Sequence, residues 1–120
     1  MSQNNKNIGI MPPQNQKAEE AVLGCVLVEA NRLHDFIDFL QAEAFYNDNN
    51  GEIYKAILSL QKKIEPIDIV TVSNKLKEFG TLERVGGTMA IVRLTNNIGS
   101  TANAATYAKI INDCFIKRLS

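Results

Sequence analysis

The sequence predicts an all-α domain, because of the spacing of its apolar residues and the lack of strand-like patterns. Apolar residues recur at intervals of three and four along most of the 120 residues, as one face of a helix requires. No stretch alternates apolar and polar residues between hairpin turns. We therefore expect a compact bundle of about six short helices, with the last helix forming the C-terminal segment.

The length and composition are those of one small globular domain. Hydrophobic residues make up 45% of the chain, and 13 Lys and Arg residues balance 13 Asp and Glu residues. Binding to nucleic acid phosphates usually needs a basic excess, so this balance argues against polyanion binding as the main role. The longest apolar run, Ala21 to Val28, is too short to span a membrane. The polar start lacks a signal-peptide pattern, which predicts a cytoplasmic protein.

The chain divides into three parts by composition. Residues 1–12 are rich in Asn and Gln and are predicted to be a disordered tail. Pro12 and Pro13 stop any helix from extending backwards into this tail. We assign residues 13–99 to a globular helical domain and residues 100–120 to a C-terminal helix.

The first helical segment, from about Asn15 to Glu29, is predicted to be the most buried. Its apolar run from Ala21 to Val28 is compatible with a buried strand as well as with a helix. We favour a helix because Glu19 and Glu20 stabilise a helical first turn through the helix dipole. A helix that is apolar on nearly all sides is expected at the centre of the domain.

Two further helices are predicted, from about Asn31 to Leu40 and from about Asn50 to Lys63. Each places its apolar residues on one face, at the i, i+3, i+4 and i+7 positions. These residues are Leu33, Phe36, Ile37 and Leu40 in the first of the two, and Ile53, Ala56, Ile57, Leu60 and then Ile64 in the second.

The fourth helix has the clearest boundaries. Asp68 is a favourable N-cap, and Pro66 keeps the residues before it extended. Ile67 and Val72 have the spacing of a hydrophobic staple, and Gly80 is suited to the left-handed residue that ends a helix. The predicted apolar stripe consists of Ile69, Val72, Leu76 and Phe79.

The fifth and sixth helices complete the bundle. The fifth runs from about Thr88 to Asn97 after the Gly86-Gly87 pair, and the sixth follows Gly99, with Ser100 or Thr101 as its N-cap. The sixth helix has no Gly, Asn or Pro to end it, which we interpret as indicating a fragment of a longer protein. The inward residues are Ala90, Ile91, Leu94 and Ile98 in the fifth helix, and Ala104, Tyr107, Ala108, Ile111, Cys114 and Phe115 in the sixth.

No pattern typical of catalysis, cofactor binding or metal binding is found, so we expect no catalytic, cofactor-binding or metal-ligating residue. His34 is the single histidine, and with Cys25 and Cys114 it cannot supply a zinc site. The two cysteines are interpreted as buried free thiols. Asp68 is explained by capping. The turn at residues 86–88 lacks the GxxxxGK[ST] spacing of a phosphate-binding loop.

One alternative is a small DNA-binding domain. The fourth and fifth helices could mimic a helix-turn-helix, although their link is longer than the usual three or four residues. The residues of the fifth helix that could contact bases are Arg93, Thr95, Asn96 and Asn97.

A series of short motifs resembles the N-terminal domain of bacterial DnaB-type replicative DNA helicases. Each motif is weak alone, but together they follow the order and spacing of that family from about Pro12 to Arg118. Asn50 departs from the pattern, because the family often has His there. The motifs are Pro12-Pro13-Gln14-Asn15, Ala18-Glu19, Val22-Leu23-Gly24, Phe45-Tyr46, Ile53-Tyr54, Ala56-Ile57, Leu60, Pro66-Ile67-Asp68 with Val70-Thr71, Val85-Gly86-Gly87, Ser100, Ala102-Asn103 and Tyr107-Ala108.

The resemblance implies a non-catalytic domain for assembly and primase docking. In that family a linker joins the N-terminal domain to a RecA-like motor domain, which binds ATP, Mg²⁺ and DNA. The full protein is a hexameric ring with a collar built as a trimer of dimers. The implied partners are other copies of the chain and the helicase-binding domain of primase. The resemblance is also compatible with a helicase loader as a partner. It implies that the protein contacts DNA only through the motor domain.

The resemblance also suggests where copies of the chain meet. The last segment, 103–120, is similar to the first arm of a helical hairpin that pairs subunits, so the second arm would lie beyond residue 120. The alternatives are the DNA-binding domain described above, a helical adaptor of another replication complex and, least favoured by the motifs, a stand-alone enzyme. The candidate interface residues are Tyr107, Ile110, Ile111, Cys114 and Phe115.

Overall fold

The computed structural model describes residues 11–120. Most of the expected disordered tail, residues 1–10, lies outside the described residues. Within them the chain forms five α-helices and two short 3₁₀ helices, with no strand, which confirms the predicted all-α class. The α-helices are α1 (Gln16–Val28), α2 (Asp48–Lys62), α3 (Ile69–Phe79), α4 (Gly87–Asn96) and α5 (Ala104–Leu119), and the 3₁₀ helices are Ala30–Asp35 and Ala42–Ala44.

Helix α1 is the central element, as the sequence predicts. Leu23, Cys25 and Val26 are completely buried, and α1 packs against α2, α4, α5 and the first 3₁₀ helix. The Asn15 side chain caps the helix by accepting a hydrogen bond of 2.9 Å from the backbone N–H of Ala18. The apolar run is therefore a helix and not a strand, and the other helices cover it.

Gly24 lets α4 approach α1 closely. A methyl group at this position would overlap the backbone carbonyl oxygen of Leu94 and lie 2.7 Å from the Cδ1 atom of Ile98. Glycine usually weakens a helix interior, but here the absence of a side chain makes the contact between the two helices possible.

The second predicted helix, Asn31 to Leu40, is wrong in type. The chain forms the 3₁₀ helix Ala30–Asp35 and then a turn, with φ −145° and ψ −2° at Phe36. Leu33, Phe36 and Leu40 are nevertheless buried as expected. Apolar spacing indicates which side chains face the core, but it does not distinguish a regular α-helix from a tighter turn held by its neighbours.

Ile64 does not continue the stripe of α2, which corrects the sequence interpretation. Its side chain is 92% exposed and its φ is +57°, in the left-handed region. The backbone N–H of Glu65 donates to the carbonyl of Leu60, and that of Ile64 donates to Gln61. This is the pattern of a Schellman motif, in which glycine usually occupies the left-handed position. The helix ends here although the apolar spacing continues.

Helix α3 begins as predicted. The Asp68 carboxylate accepts a hydrogen bond of 2.8 Å from the backbone N–H of Thr71, and the Thr71 hydroxyl accepts one of 2.9 Å from Asp68. Ile67 and Val72, the predicted staple residues, are both buried, and Gly80 ends the helix at φ +76°. Phe79 differs from the prediction, since it is 43% exposed in the last turn of the helix.

The predicted cap of the last helix is also wrong. The N-cap of α5 is Asn103, which makes no side-chain capping bond. The Ser100 hydroxyl accepts from the backbone N–H of Ala102, before the helix begins. The Thr101 hydroxyl donates to Glu29 at the end of α1 instead. A long-range contact therefore uses the group that the local pattern assigns to capping.

Replacing Asp68 by alanine should lower the free energy of unfolding by about 1 kcal/mol, because the start of α3 loses the carboxylate that caps it. Urea denaturation followed by circular dichroism measures the change. Asp113→Ala is the matched control, since Asp113 is exposed in α5 and makes no side-chain hydrogen bond among the described residues. Equal midpoints for the two variants would contradict the capping role.

Replacing Gly24 by alanine should lower the free energy of unfolding by roughly 1–3 kcal/mol, because α1 and α4 must separate to admit the methyl group. Gly51→Ala in α2 is the control. Its added methyl group would make only ordinary contacts, with the nearest atom at 3.5 Å, so its higher helix propensity should leave stability unchanged or increase it. Similar thermal midpoints for both variants would contradict the close approach at Gly24.

Candidate protein-interaction surface

The residues singled out for chemistry do not converge on one site. His34 is exposed, and the described residues contain no group of three or more His, Cys, Asp and Glu residues that could hold a metal ion. Cys25 is buried as predicted, whereas Cys114 is only partly buried, and both thiols are free. Burial raises the pKa of the Cys25 thiol, so it stays protonated at neutral pH. None of the helices in residues 11–120 is long and apolar enough to cross a membrane.

Helix α5 changes from buried to exposed along a single stripe. Ile111, Phe115 and Leu119 lie four residues apart and so share one face of the helix. Ile111 is 1% exposed, Phe115 is partly buried, and Leu119 is 70% exposed. Ile116 is 53% exposed on a neighbouring face. The apolar stripe therefore continues past the part of α5 that the rest of the domain covers.

The five candidate interface residues fall into two groups. Ile111 belongs to the core of its own domain and is not available to a partner. Tyr107, Ile110, Cys114 and Phe115 are partly buried and border the surface. The predicted set lacks the two most exposed apolar residues of the helix, Ile116 and Leu119. Leu119 could have been predicted, because it lies four residues after Phe115 and so shares its helical face.

Arg118 fastens the exposed end of α5 to the body. Its guanidinium donates hydrogen bonds of 2.8 Å to the backbone carbonyls of Pro13 and Ala44. The guanidinium carbon also lies 5.3 Å from the ring centre of Tyr46 and 5.7 Å from that of Phe115, which are cation–π distances. The sequence pattern identifies Arg118 only as a residue near the end of the predicted sixth helix. Pro13, Ala44 and Tyr46 are distant from Arg118 in sequence, so no local pattern indicates these three contacts.

A second polar group holds the beginning of α5. Thr101 donates a hydrogen bond of 2.6 Å to Glu29 and accepts one of 3.2 Å from Arg32. Arg32 also pairs with Glu29 at 3.4 Å and with Asp35 at 3.3 Å. The segment that leads into α5 and the last turn of the helix are thus both hydrogen-bonded to the body of the domain.

Glu19 is a buried carboxylate that orders the start of α2. It is 1% exposed and accepts hydrogen bonds from the backbone N–H groups of Tyr46 and Asn47 and from the side-chain amide of Asn50. These donors compensate the cost of burying the charge. The burial of Glu19 could have been predicted, because Glu19 shares a helical face with the buried Val22.

The alternative of a helix-turn-helix is not favoured by the arrangement of its polar residues. The Thr95 hydroxyl donates to the backbone carbonyl of Val92 at 2.7 Å and is used within the helix. Arg93 and Asn97 line a cleft that α4 shares with α1 and the start of α2. These side chains therefore face a concave surface between helices and do not form a protruding recognition face.

Comparison with known proteins identifies the family. Residues 11–113 match the family described as the DnaB-like helicase N terminal domain. The chain belongs to this family. The resemblance read from the ordered motifs is thereby confirmed.

Individual relatives agree with this assignment. The chain is similar to the replicative DNA helicase DnaB of Rhodothermus marinus, with 34% identity over 92% of this chain and 12% of the relative. It is also similar to the replicative DNA helicase DnaC of Bacillus subtilis (strain 168), with 37% identity over 90% of this chain and 24% of the relative. The chain thus spans a quarter or less of these curated relatives.

A solved structure has the same fold. The crystal structure of the N-terminal domain of DnaB helicase from Mycobacterium tuberculosis is similar to this chain with a TM-score of 0.86 and 35% sequence identity. The match covers 90% of this chain and 78% of that chain. The all-helical architecture is therefore that of a DnaB N-terminal domain.

Replacing Arg118 by glutamine should lower the free energy of unfolding by roughly 1–3 kcal/mol, because two backbone carbonyls and two aromatic rings lose a charged partner. Chemical denaturation measures the effect. Arg84→Gln is the matched control, since Arg84 is exposed and makes only a 3.5 Å ion pair with Glu52. If both variants denature at the wild-type midpoint, Arg118 does not anchor the helix.

Proposed function

We propose that this domain is the non-catalytic assembly and partner-docking module of a replicative DNA helicase. The family assignment supports this role. In the proposed whole protein, an ATP-dependent hexamer unwinds duplex DNA at the replication fork in the bacterial cytoplasm. ATP, Mg²⁺ and DNA bind in a separate RecA-like motor domain, and a linker joins that domain to residues 100–120.

Two kinds of partner belong to this proposal. Other copies of the chain pair through α5, as a dimer here and as part of a hexamer in the whole protein. The helicase-binding domain of primase and a helicase loader dock on the N-terminal domain, which would couple unwinding to primer synthesis. Contact with DNA is left to the motor domain.

The observation that carries the self-association is the exposed end of α5. The stripe from Ile111 to Leu119 passes from the core of the domain to solvent, with Ile116 exposed beside it. Continuous apolar stripes that leave a domain core are typical of surfaces that meet another helix. Arg118 fixes this end of the helix, so little conformational entropy is lost when a partner binds.

A second copy of the chain is the occupant that this surface fits best. Two copies of α5 related by a two-fold axis would place each Leu119 and Ile116 against the same residues of the partner, as isologous interfaces do. Tyr107, Ile110 and Cys114 are partly buried and would lie at the border of the contact. One helix offers a small area, so the association is expected to be weak and to depend on concentration.

The double variant Ile116→Asp, Leu119→Asp should weaken self-association by at least about tenfold, because two buried carboxylates would replace apolar contacts at the centre of the interface. Light scattering over a concentration series measures the dissociation constant. Both residues are exposed in the single domain, so the variant should retain the circular dichroism spectrum of the wild type.

The double variant Val70→Asp, Met89→Asp is the matched control. Val70 is 66% exposed on α3 and Met89 is 60% exposed on α4, so it introduces the same charges on exposed apolar positions away from α5. It should associate like the wild type. A wild-type chain that stays monomeric at high concentration would contradict the proposal, and so would an α5 variant that associates as strongly as the control.

A further inference from the structure

A cleft of about 730 Å³ lies between α1, the start of α2 and α4. Its floor is apolar and includes Ile53, Leu94 and Ile98. Its volume falls in the range of binding clefts for small ligands and short peptide segments. The self-association proposed above uses α5, which contributes no residue to the lining of this cleft.

The charged groups at the rim favour an acidic occupant. Lys17 on α1 and Arg93 on α4 line the cleft, and neither makes an ion pair within residues 11–120. Glu20 is the one acidic side chain of the lining, and its carboxylate accepts a hydrogen bond from Gln16 at 3.1 Å. Two cations against one carboxylate leave the rim with a net positive charge.

The amide groups of the lining favour a peptide backbone. Asn49, Asn50 and Asn97 line the cleft, and each side-chain amide combines donors with an acceptor, as a peptide bond does. Asn50 is 6% exposed and its amide nitrogen donates to the buried Glu19 at 3.0 Å. This bond fixes the orientation of the Asn50 amide. The amides of Asn49 and Asn97 make no hydrogen bond to other described residues.

The same lining is poorly suited to nucleic acid. No aromatic side chain of the described residues lines the cleft, although single strands are commonly held by bases stacked on aromatic rings. The chain also has no net charge, whereas binding to phosphates is strengthened by a basic excess. A peptide with both apolar and acidic side chains matches the floor, the amides and the rim together.

We propose that this cleft binds an extended acidic peptide segment of a partner protein. An aliphatic side chain of the peptide lies on the apolar floor, and its backbone pairs with the amides of Asn49 and Asn97. A neighbouring carboxylate of the peptide lies between Lys17 and Arg93. The inference rests on the docking part of the proposed function and gives that docking a place and a chemistry. It is independent of the contact between copies through α5.

Selection from a library of random nonapeptides displayed on phage tests the proposal even though the partner is unidentified. The immobilised wild-type chain should enrich peptides that carry Asp or Glu beside Leu, Ile or Val. A synthetic peptide from the enriched set is then compared, by fluorescence anisotropy, with its counterpart in which Asn and Gln replace the acidic residues. Failure to enrich any peptide, or enrichment without an acidic preference, would overturn the proposal.

The variant Lys17→Glu, Arg93→Glu tests whether the selected peptide binds in the cleft. It should bind the selected peptide on the order of tenfold more weakly than the wild type. Lys77→Glu, Lys109→Glu is the matched control, because both lysines are exposed and outside the cleft lining and the net charge changes equally. Circular dichroism checks folding, and Lys17→Gln, Arg93→Gln replaces the first variant if its spectrum is altered. Equal affinities for cleft and control variants would overturn the proposal.

A measurement of self-association distinguishes a failure of this inference from a failure of the proposed function. Light scattering of the cleft variant should match that of the wild type, because α5 is unchanged. Loss of peptide binding with intact self-association supports the cleft as the docking site. Intact peptide binding in the cleft variant rejects the cleft and leaves assembly through α5 unaffected.

Discussion

Helix α1 is buried without interruption over residues 22–27, so most of its surface must be covered before the domain is stable. Leu23, Cys25 and Val26 are completely buried, and three other α-helices and a 3₁₀ helix supply the cover. Two residues of α1 adapt it to this position. Gly24 admits the backbone of α4, and Glu19 presents its carboxylate to backbone N–H groups at the start of α2. The central helix thus sets both the packing of α4 and the entry into α2.

Features that depend on neighbouring residues could be predicted from the sequence. The Asp68 cap, the burial of the staple residues Ile67 and Val72 and the left-handed Gly80 all involve residues within a few positions of one another. Features that depend on distant residues, or on a left-handed residue other than glycine, could not. The apolar spacing assigns Ile64 to the core, but the backbone turns into the left-handed region and exposes it. Thr101 has the chemistry of a cap, but Glu29 and Arg32 engage it instead.

The candidate surface shows the same division. Periodicity indicates that Ile111, Phe115 and Leu119 share a face, but it cannot tell where the body of the domain ends. Ile111 consequently lies in the core, whereas Leu119 lies in solvent. The cleft between α1 and α4 combines side chains from three helices, and no single segment of sequence contains enough of them to be recognised as a site. The two proposed surfaces use different helices, so the two proposed partners would not compete for the same residues.

The bond from Arg118 to Pro13 joins residues 105 positions apart. Helix α5 packs against α1, so the first of the described helices receives part of its cover from the last of them. Until α5 emerges, the apolar side of α1 that packs against it has no native partner within the nascent chain. Contacts of such long sequence separation slow folding, and the unpaired surface is open to misassembly.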